Sequence, residues 1–309
     1  MRHNSRMAGE GFNILINRRS GTVLNMGEPA VEAAIHDSGL DVAELCFSEP
    51  DTMSENLDRL IESPLPLLIG GGDGTIRESA KVLAERGKAF GVLPFGTMNL
   101  LPHDLGIDTL PQALKAYAHG VRTEAIDAGY VNGKLFLCCA SIGTMPQASV
   151  YREQKRDMSN FWLFPRLFMF VLDNIDRHKR ERIVLDVDGQ MTKFHTPAVV
   201  VSANRFADSD TLTESNFKRQ TLDGGELAAY VMTTKSKVSH MRLLMRLLFG
   251  HWLRDPDLKE MTGRRIKLWS RHKRALVSID GEVEKLRTPL EFTLKPRHVQ
   301  VLIPEPEAG

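Results

Sequence analysis

The stretch Leu68-Ile69-Gly70-Gly71-Gly72-Asp73-Gly74-Thr75 sets an apolar run against four glycines within five residues. Leu65–Ile69 predicts a fully buried strand, and Thr75–Arg86 behind the glycines predicts a helix. Glycine lets the backbone approach a ligand without Cβ interference. N–H groups gathered ahead of a helix then form an anion site. Asp73 in that loop would repel a bare phosphate. It makes sense with Mg²⁺ between them, because Mg²⁺ takes carboxylate, water and phosphate oxygens together. The plainer alternative is a tight turn with Asp73 as an N-cap.

Working outward, Phe12–Asn17, Val42–Phe47 and Phe90–Leu93 read as further strands, with helices predicted over 29–38 and 51–61. Alternating strands and helices imply βαβ units and a parallel sheet, with the strand-to-helix loops on one edge. Two more polar loops leave that edge. One is Asn17-Arg18-Arg19-Ser20-Gly21, whose arginines are either solvated or directed at phosphate. The other is Pro94-Phe95-Gly96-Thr97-Met98-Asn99, where Gly96 permits close approach and Thr97 and Asn99 offer hydrogen bonds.

Beyond about residue 120 the pattern turns to short alternating runs separated by Asn132-Gly133, Asp188-Gly189, Asp223-Gly224-Gly225 and Asp280-Gly281. This predicts an antiparallel sandwich or distorted barrel, interrupted by helices near 159–178 and 236–249. The 309 residues therefore divide into an α/β domain over 12–125, a β domain over 126–290, and a tail at 291–309.

Composition excludes several classes. Apolar residues at 42% support a sizeable core, and 40 Lys+Arg against 39 Asp+Glu argue against a dedicated nucleic-acid binder. Cys46, Cys138 and Cys139 have neither a metal-site nor a disulfide-framework spacing and fit a reducing compartment. Residues 1–11 lack an apolar signal core. The longest apolar stretch, 161–172, falls short of the roughly 20 residues that cross a bilayer. These features predict a cytoplasmic protein. No Walker loop, GxGxxG with a downstream acid, HExxH or GxSxG occurs.

Four motifs in order now carry a resemblance. Gly71-Gly72-Asp73-Gly74-Thr75 resembles the GGDGT of the superfamily containing diacylglycerol, sphingosine and NAD kinases and phosphofructokinases. Residues 17–21 are similar to the lipid kinases' NPxSG, residues 96–99 to their GTxN, and Asp280-Gly281-Glu282 to their late DGE. The family resembled is that of bacterial diacylglycerol kinase-like lipid kinases. It implies an α/β nucleotide domain, a β-sandwich domain, an active site between them, and a final strand that can return to the first domain. It implies ATP and Mg²⁺ as cofactors and a lipid hydroxyl as acceptor. Asn17, Ser48, Gly71, Gly72, Asp73, Gly74, Thr75, Gly96, Thr97 and Asn99 would then bind the nucleotide. Asp73 and Asp127 would hold the catalytic magnesium, and Asp223 matches a structural metal loop. Asp280 and Glu282 would supply the general base; Asp280 is preferred because it ends the apolar strand Ala275–Ile279.

The sequence departs from the family in four places. Leu100 replaces an acid after the GTxN asparagine, Arg77 precedes Glu78 where relatives carry Asn, Arg18 replaces the Pro of NPxSG, and the metal loop has an uncertain register. A nucleotide-binding pseudokinase regulator and an NAD kinase-like enzyme are therefore the competing readings. The NAD kinases' Asn-Glu pair after the second loop is missing here.

Residues 235–274 hold twelve Lys/Arg and three Asp/Glu, a net of +9 in a chain of net +1. The helix predicted there carries Arg242 and Arg246, and the 159–178 helix carries Phe161, Trp162 and Phe164. Both are expected either to meet an anionic membrane surface or to pack on the sandwich with solvated charges. The lipid substrate at the membrane surface is the expected partner. A homodimer and a monomer both suit the sequence.

Overall fold

The computed structural model describes residues 11–143, 180–208, 217–248 and 251–305. The chain forms two compact units. One comprises residues up to Ile126 together with those from Arg297 onward, and the other is Asp127–Pro296.

The first unit is built on parallel strands in the order β2-β1-β3-β4: β1 (Phe12–Asn17), β2 (Val42–Ser48), β3 (Leu67–Gly71) and β4 (Phe90–Pro94). Val301, in the C-terminal part of the last strand, pairs parallel with Phe90. Strands β3 and β4 are buried at every residue, which is why they read as unbroken apolar runs. Among the described residues the helices of this unit are α1 (Gly21–Met26), α2 (Glu28–Asp37), α3 (Met53–Ile61), α4 (Asp73–Glu85), α5 (Leu100–Asp104) and α6 (Leu110–His119).

Helices α1, α5 and α6 were not legible from periodicity. The first two are too short to show a repeat. The third carries its own signals: Thr109 caps it by accepting the Gln112 N–H, and Gly120 ends it. The fully buried Tyr117 ties α6 to the sheet, its hydroxyl accepting from the Val92 N–H at 2.9 Å and donating to the Leu302 carbonyl at 3.3 Å.

The second unit is an antiparallel sandwich. One sheet has the order β12-β11-β10-β7-β14-β15, with β7 (Cys139–Gly143), β10 (Ala198–Ala203), β11 (Leu227–Met232), β12 (Leu258–Gly263), β14 (Arg274–Ile279) and β15 (Glu282–Arg287). The other contains β13 (Arg265–Ser270) between β8 (Glu181–Val187) and β16 (Leu290–Pro304), with β9 (Gln190–Thr196) outside β8. Val199, Val201, Val277 and Ile279 of the first sheet and Leu185, Ile266, Leu268 and Phe292 of the second share one buried core. β5 (Val121–Val131) forms a hairpin with β6 (Lys134–Phe136).

The dipeptides Asn132-Gly133, Asp188-Gly189 and Asp280-Gly281 each have positive φ at both residues. This is the type I′ geometry that matches the twist of a hairpin. Strand β16 runs unbroken through Pro296, with Arg297 at φ 49° just after it. Between β6 and β7 the strand pairing lapses at Leu137 and Cys138, for a reason given below. Strands β9 and β12 are largely polar and half exposed.

Helix α7 (Lys237–Leu248) lies where expected, and its two half-exposed arginines are ion-paired. Arg242 donates to both oxygens of Asp255 at 2.9 Å and to Asp257 at 2.5 Å. Arg246 donates to the Arg254 carbonyl at 2.7 Å and lies 3.5 Å from Asp255. The Asp255 side chain has no exposed surface, so these arginines hold down the connection that follows the helix. Trp252 in that connection packs among Phe206, Phe217 and Tyr230. The helix expected near 159–178 lies outside the described residues. Among the described residues no helix is long and apolar enough to cross a membrane.

Candidate active site

Strands β3 and β4 are parallel neighbours in register, with Gly71 beside Pro94, so their two loops emerge side by side. The glycines are there because nothing larger fits. A Cβ on Gly71 would stand 2.5 Å from the Thr75 Cβ. A Cβ on Gly96 would stand 2.8 Å from the Gly72 Cα and 2.9 Å from the Asn99 Oδ1. Asp73 is the first residue of α4, with Gly72 as the cap, so the N-cap alternative for Asp73 is not what is seen. Its carboxylate instead accepts the backbone N–H of Asn99 at 3.1 Å and of Leu100 at 2.7 Å. Asn99 sits in the left-handed region at φ 48° and accepts the Gly96 N–H at 2.8 Å.

The Leu100 departure acquires a physical meaning here. Its side chain is buried, while its N–H pins Asp73. Thr97 is exposed on the same loop, and Gly74 lies in the first turn of α4.

The first loop joins the same group. Asn17 donates to the Thr75 hydroxyl at 2.9 Å and accepts the Arg19 N–H. Thr22 N–H donates to the Phe95 carbonyl. Arg18 pairs with Glu28 at 3.0 Å. Ser20, unassigned from sequence, has a buried hydroxyl with no hydrogen-bond partner among the described residues. Ser48 is buried at the end of β2 and bonds Thr52 and Asn56, organising the start of α3. Arg77 is buried in α4 and pairs with the exposed Glu78.

In the second unit Asp280 is 4% exposed. Its carboxylate accepts three successive backbone N–H groups: Leu137 at 2.7 Å, Cys138 at 3.0 Å and Cys139 at 2.9 Å. These bonds turn 137–138 out of strand pairing and explain the break between β6 and β7. Arg219, 4% exposed, buttresses the same bend by donating to the Leu137 and Ala203 carbonyls at 2.5 and 3.1 Å. Glu282 begins β15 two residues on and is exposed. The preference for Asp280 as base therefore meets an obstacle: three of the roughly four acceptor sites of its carboxylate are taken by backbone donors.

Asp127 is fully buried, accepts the Gly225 N–H at 2.7 Å, and donates its own N–H to the Leu222 carbonyl. Asp223, on that loop, is exposed and accepts the Thr221 hydroxyl at 2.6 Å. Across Gly224 lies Asn204, fully buried, at φ 75°, with neither amide atom hydrogen-bonded among the described residues. A lone Asn ending an apolar strand gave no sequence signal. Asp127, in β5, thus bonds the loop that carries Asp223, whereas Asp73 belongs to the first unit. Among the described residues no three His, Cys, Asp or Glu side chains cluster as a ready-made metal site.

Residues 12–131 match the diacylglycerol kinase catalytic domain, and residues 159–303 match the YegS C-terminal NAD kinase beta sandwich-like domain. A Pseudomonas aeruginosa protein named "Probable lipid kinase YegS-like" is 38% identical over 117 residues, covering 37% of this chain and 38% of that one. A Synechocystis protein of uncharacterized function is 22% identical over 246 residues, covering 77% of this chain. The chain spans 54% of the length of that Synechocystis relative. A solved diacylglycerol kinase from Bacillus anthracis str. Sterne has the same fold, with a TM-score of 0.62 at 19% identity over 98% of this chain and 100% of that one. With a diacylglycerol kinase catalytic domain followed by a YegS-type C-terminal domain, the chain belongs to the diacylglycerol kinase-like lipid kinase family.

Proposed function

We propose that this chain is an ATP- and Mg²⁺-dependent lipid kinase that transfers the γ-phosphoryl group of ATP to the hydroxyl of a lipid such as diacylglycerol. The observation that carries the reading is the abutting pair of loops at Gly72 and Gly96, locked together by Asp73 and Asn99. Backbone N–H groups at the start of α4 suit phosphate oxygens, and Thr75, Thr97 and Asn99 surround them with hydrogen-bonding groups.

The donor chemistry fits Mg²⁺. Asp73 offers a carboxylate beside the phosphate loop, and Mg²⁺ commonly binds one or two carboxylates plus phosphates and water. Asp127, Asp223 and the unpartnered Asn204 amide oxygen are likewise hard oxygen donors around one loop. When bound, the ion neutralises charge on the transferring phosphates.

Glu282 is the general base in this reading. It takes the lipid hydroxyl proton as the lipid oxygen bonds to the γ-phosphorus, while the bond from that phosphorus to the β–γ bridging oxygen breaks and ADP leaves. Asp280 is a positioning residue: it anchors the turn from which Glu282 projects. The enzyme then works as a peripheral protein on the cytoplasmic membrane surface.

Labelled-phosphate transfer from ATP to a total lipid extract, with identification of the product, tests this. Label in a lipid product is expected, with loss on Glu282→Gln. ATP binding without any transfer would instead favour a nucleotide-binding regulator, the reading that Leu100 and Arg77 keep in play.

A further inference from the structure

Arg242 and Arg246 are committed to Asp255 and Asp257, and a second group of basic residues lies on and beside the β14–β15 hairpin. Residues directly opposed across an antiparallel pair share a face. Arg274 lies opposite Arg287, and Leu276 opposite Lys285. All four are exposed, Leu276 at 47%. Arg271 and Lys273 are exposed in the turn leading into β14, and the Thr288 N–H holds that turn by donating to the Lys273 carbonyl at 3.1 Å.

Acidic groups are directed elsewhere. Glu284 and Glu282 lie opposite Val277 and Ile279, on the other face, and Glu284 pairs with Lys134. Glu181, near the turn, engages His272 and Ser270. Among the described residues, none of Arg271, Lys273, Arg274, Lys285 and Arg287 has an ion-pair partner. Arg59, Arg86, Arg205, Arg254 and Lys267 all do. Opposing one arginine to another destabilises a hairpin on its own. The arrangement becomes favourable against an anionic surface, where each cation strengthens attachment and an exposed leucine enters the headgroup layer.

We propose that this hairpin face docks the protein on an anionic lipid bilayer, with Arg274, Lys285 and Arg287 binding headgroups and Leu276 inserting between them. The choice of a bilayer rests on the lipid-kinase reading; the surface itself rests on the register and charge of the hairpin.

The test is flotation of the full chain with phosphatidylcholine vesicles, with and without phosphatidylglycerol, beside phosphate transfer to diacylglycerol in nonionic micelles. Binding only to the anionic vesicles is expected. At roughly 1 kcal/mol per basic residue, about fivefold each, Arg274→Gln with Arg287→Gln should weaken binding by about 25-fold and leave micellar turnover unchanged. Arg287→Glu, which creates an ion pair with Arg274 and so protects the fold, should weaken binding by at least as much. Wild-type indifference to anionic lipid, binding by the variants equal to wild type, or charge-dependent capture of an oligonucleotide in preference to vesicles would each overturn the proposal. Absence of micellar transfer by the wild type counts against the kinase reading alone, because the vesicle arm judges the hairpin separately.

Discussion

Replacing Asp280 and replacing Glu282 should do different kinds of damage. In Asp280→Ala three N–H groups, of Leu137, Cys138 and Cys139, lose their acceptor in a region where Leu137 and Cys138 are 3% and 1% exposed. A buried donor left unsatisfied costs about 1–3 kcal/mol. The three share one carboxylate and are not independent, so a combined loss of about 3–5 kcal/mol is expected, the range of the larger single-site effects. For a domain of this size each kcal/mol lowers Tm by about 2–4 °C, giving a fall of roughly 6–20 °C for the second unit. Asp280→Asn keeps one acceptor oxygen but turns an NH₂ toward N–H donors, so it should fall between. Glu282→Gln removes an exposed carboxylate and should leave Tm within about 2 °C, since such changes stay near 0.5 kcal/mol. Its turnover should nevertheless drop by about 10²–10⁴-fold, the usual loss on removing a general base. Calorimetry with steady-state transfer to micellar diacylglycerol reads both quantities. If Asp280→Asn melts like wild type while turnover collapses, and Glu282→Gln turns over within about threefold of wild type, the assignment of roles is inverted and the reasoning fails.

Asp73→Asn should lower turnover by more than about 10²-fold with only a modest loss of stability, because one of its oxygens still accepts an N–H; near-normal turnover would remove Asp73 from the site. Gly96→Ala drives a methyl group into the Gly72 Cα and the Asn99 amide, so nucleotide affinity by calorimetric titration should weaken by at least about tenfold, while unchanged affinity would separate these loops from the nucleotide. Tyr117→Phe leaves the buried Val92 N–H without its acceptor and should cost about 1–3 kcal/mol in urea unfolding; a neutral result would refute that accounting. Burial raises the Asp255 carboxyl, but hydrogen bonds and charge from Arg242 outweigh it and hold the group below its ordinary value. A depressed carboxyl stabilises the fold above its unfolded value, near pH 4, and loses that contribution as pH falls through the folded value. Arg242→Gln should therefore move the onset of acid unfolding, followed by circular dichroism, to higher pH; coincident acid transitions would contradict the role given to that pair.

Much of the candidate site was legible because it is local. Gly70 to Thr75 and Gly96 to Asn99 each lie within a few residues, and a glycine needed for close approach leaves a mark in the sequence wherever it stands. The motif order then brought Asn17, Asp127, Asp223 and the Asp280-Gly281-Glu282 turn into view. The division of labour within that turn was not legible. Asp280 and Glu282 are both acids on one dipeptide's shoulders, and their difference depends on N–H groups 141 to 143 residues away. The partners of Arg242 and Arg246 were hidden for the same reason: Asp255 and Asp257 come within reach only once the chain has turned through Trp252.

By itself the sequence determined the alternation of strands and helices, the three Asn-Gly or Asp-Gly hairpin turns, the glycine loops and the family. These depend on backbone conformation and on apolar periodicity, which act over a few residues. Only the tertiary structure decided which polar groups meet. It placed the Asp73 carboxylate on the Leu100 N–H, buried Asp280 under three donors, left Asn204 without a partner, and turned Arg274 and Arg287 to one exposed face. A hydrogen bond or an ion pair needs its partner within about 3–4 Å, and that proximity is set by packing between segments far apart in the chain.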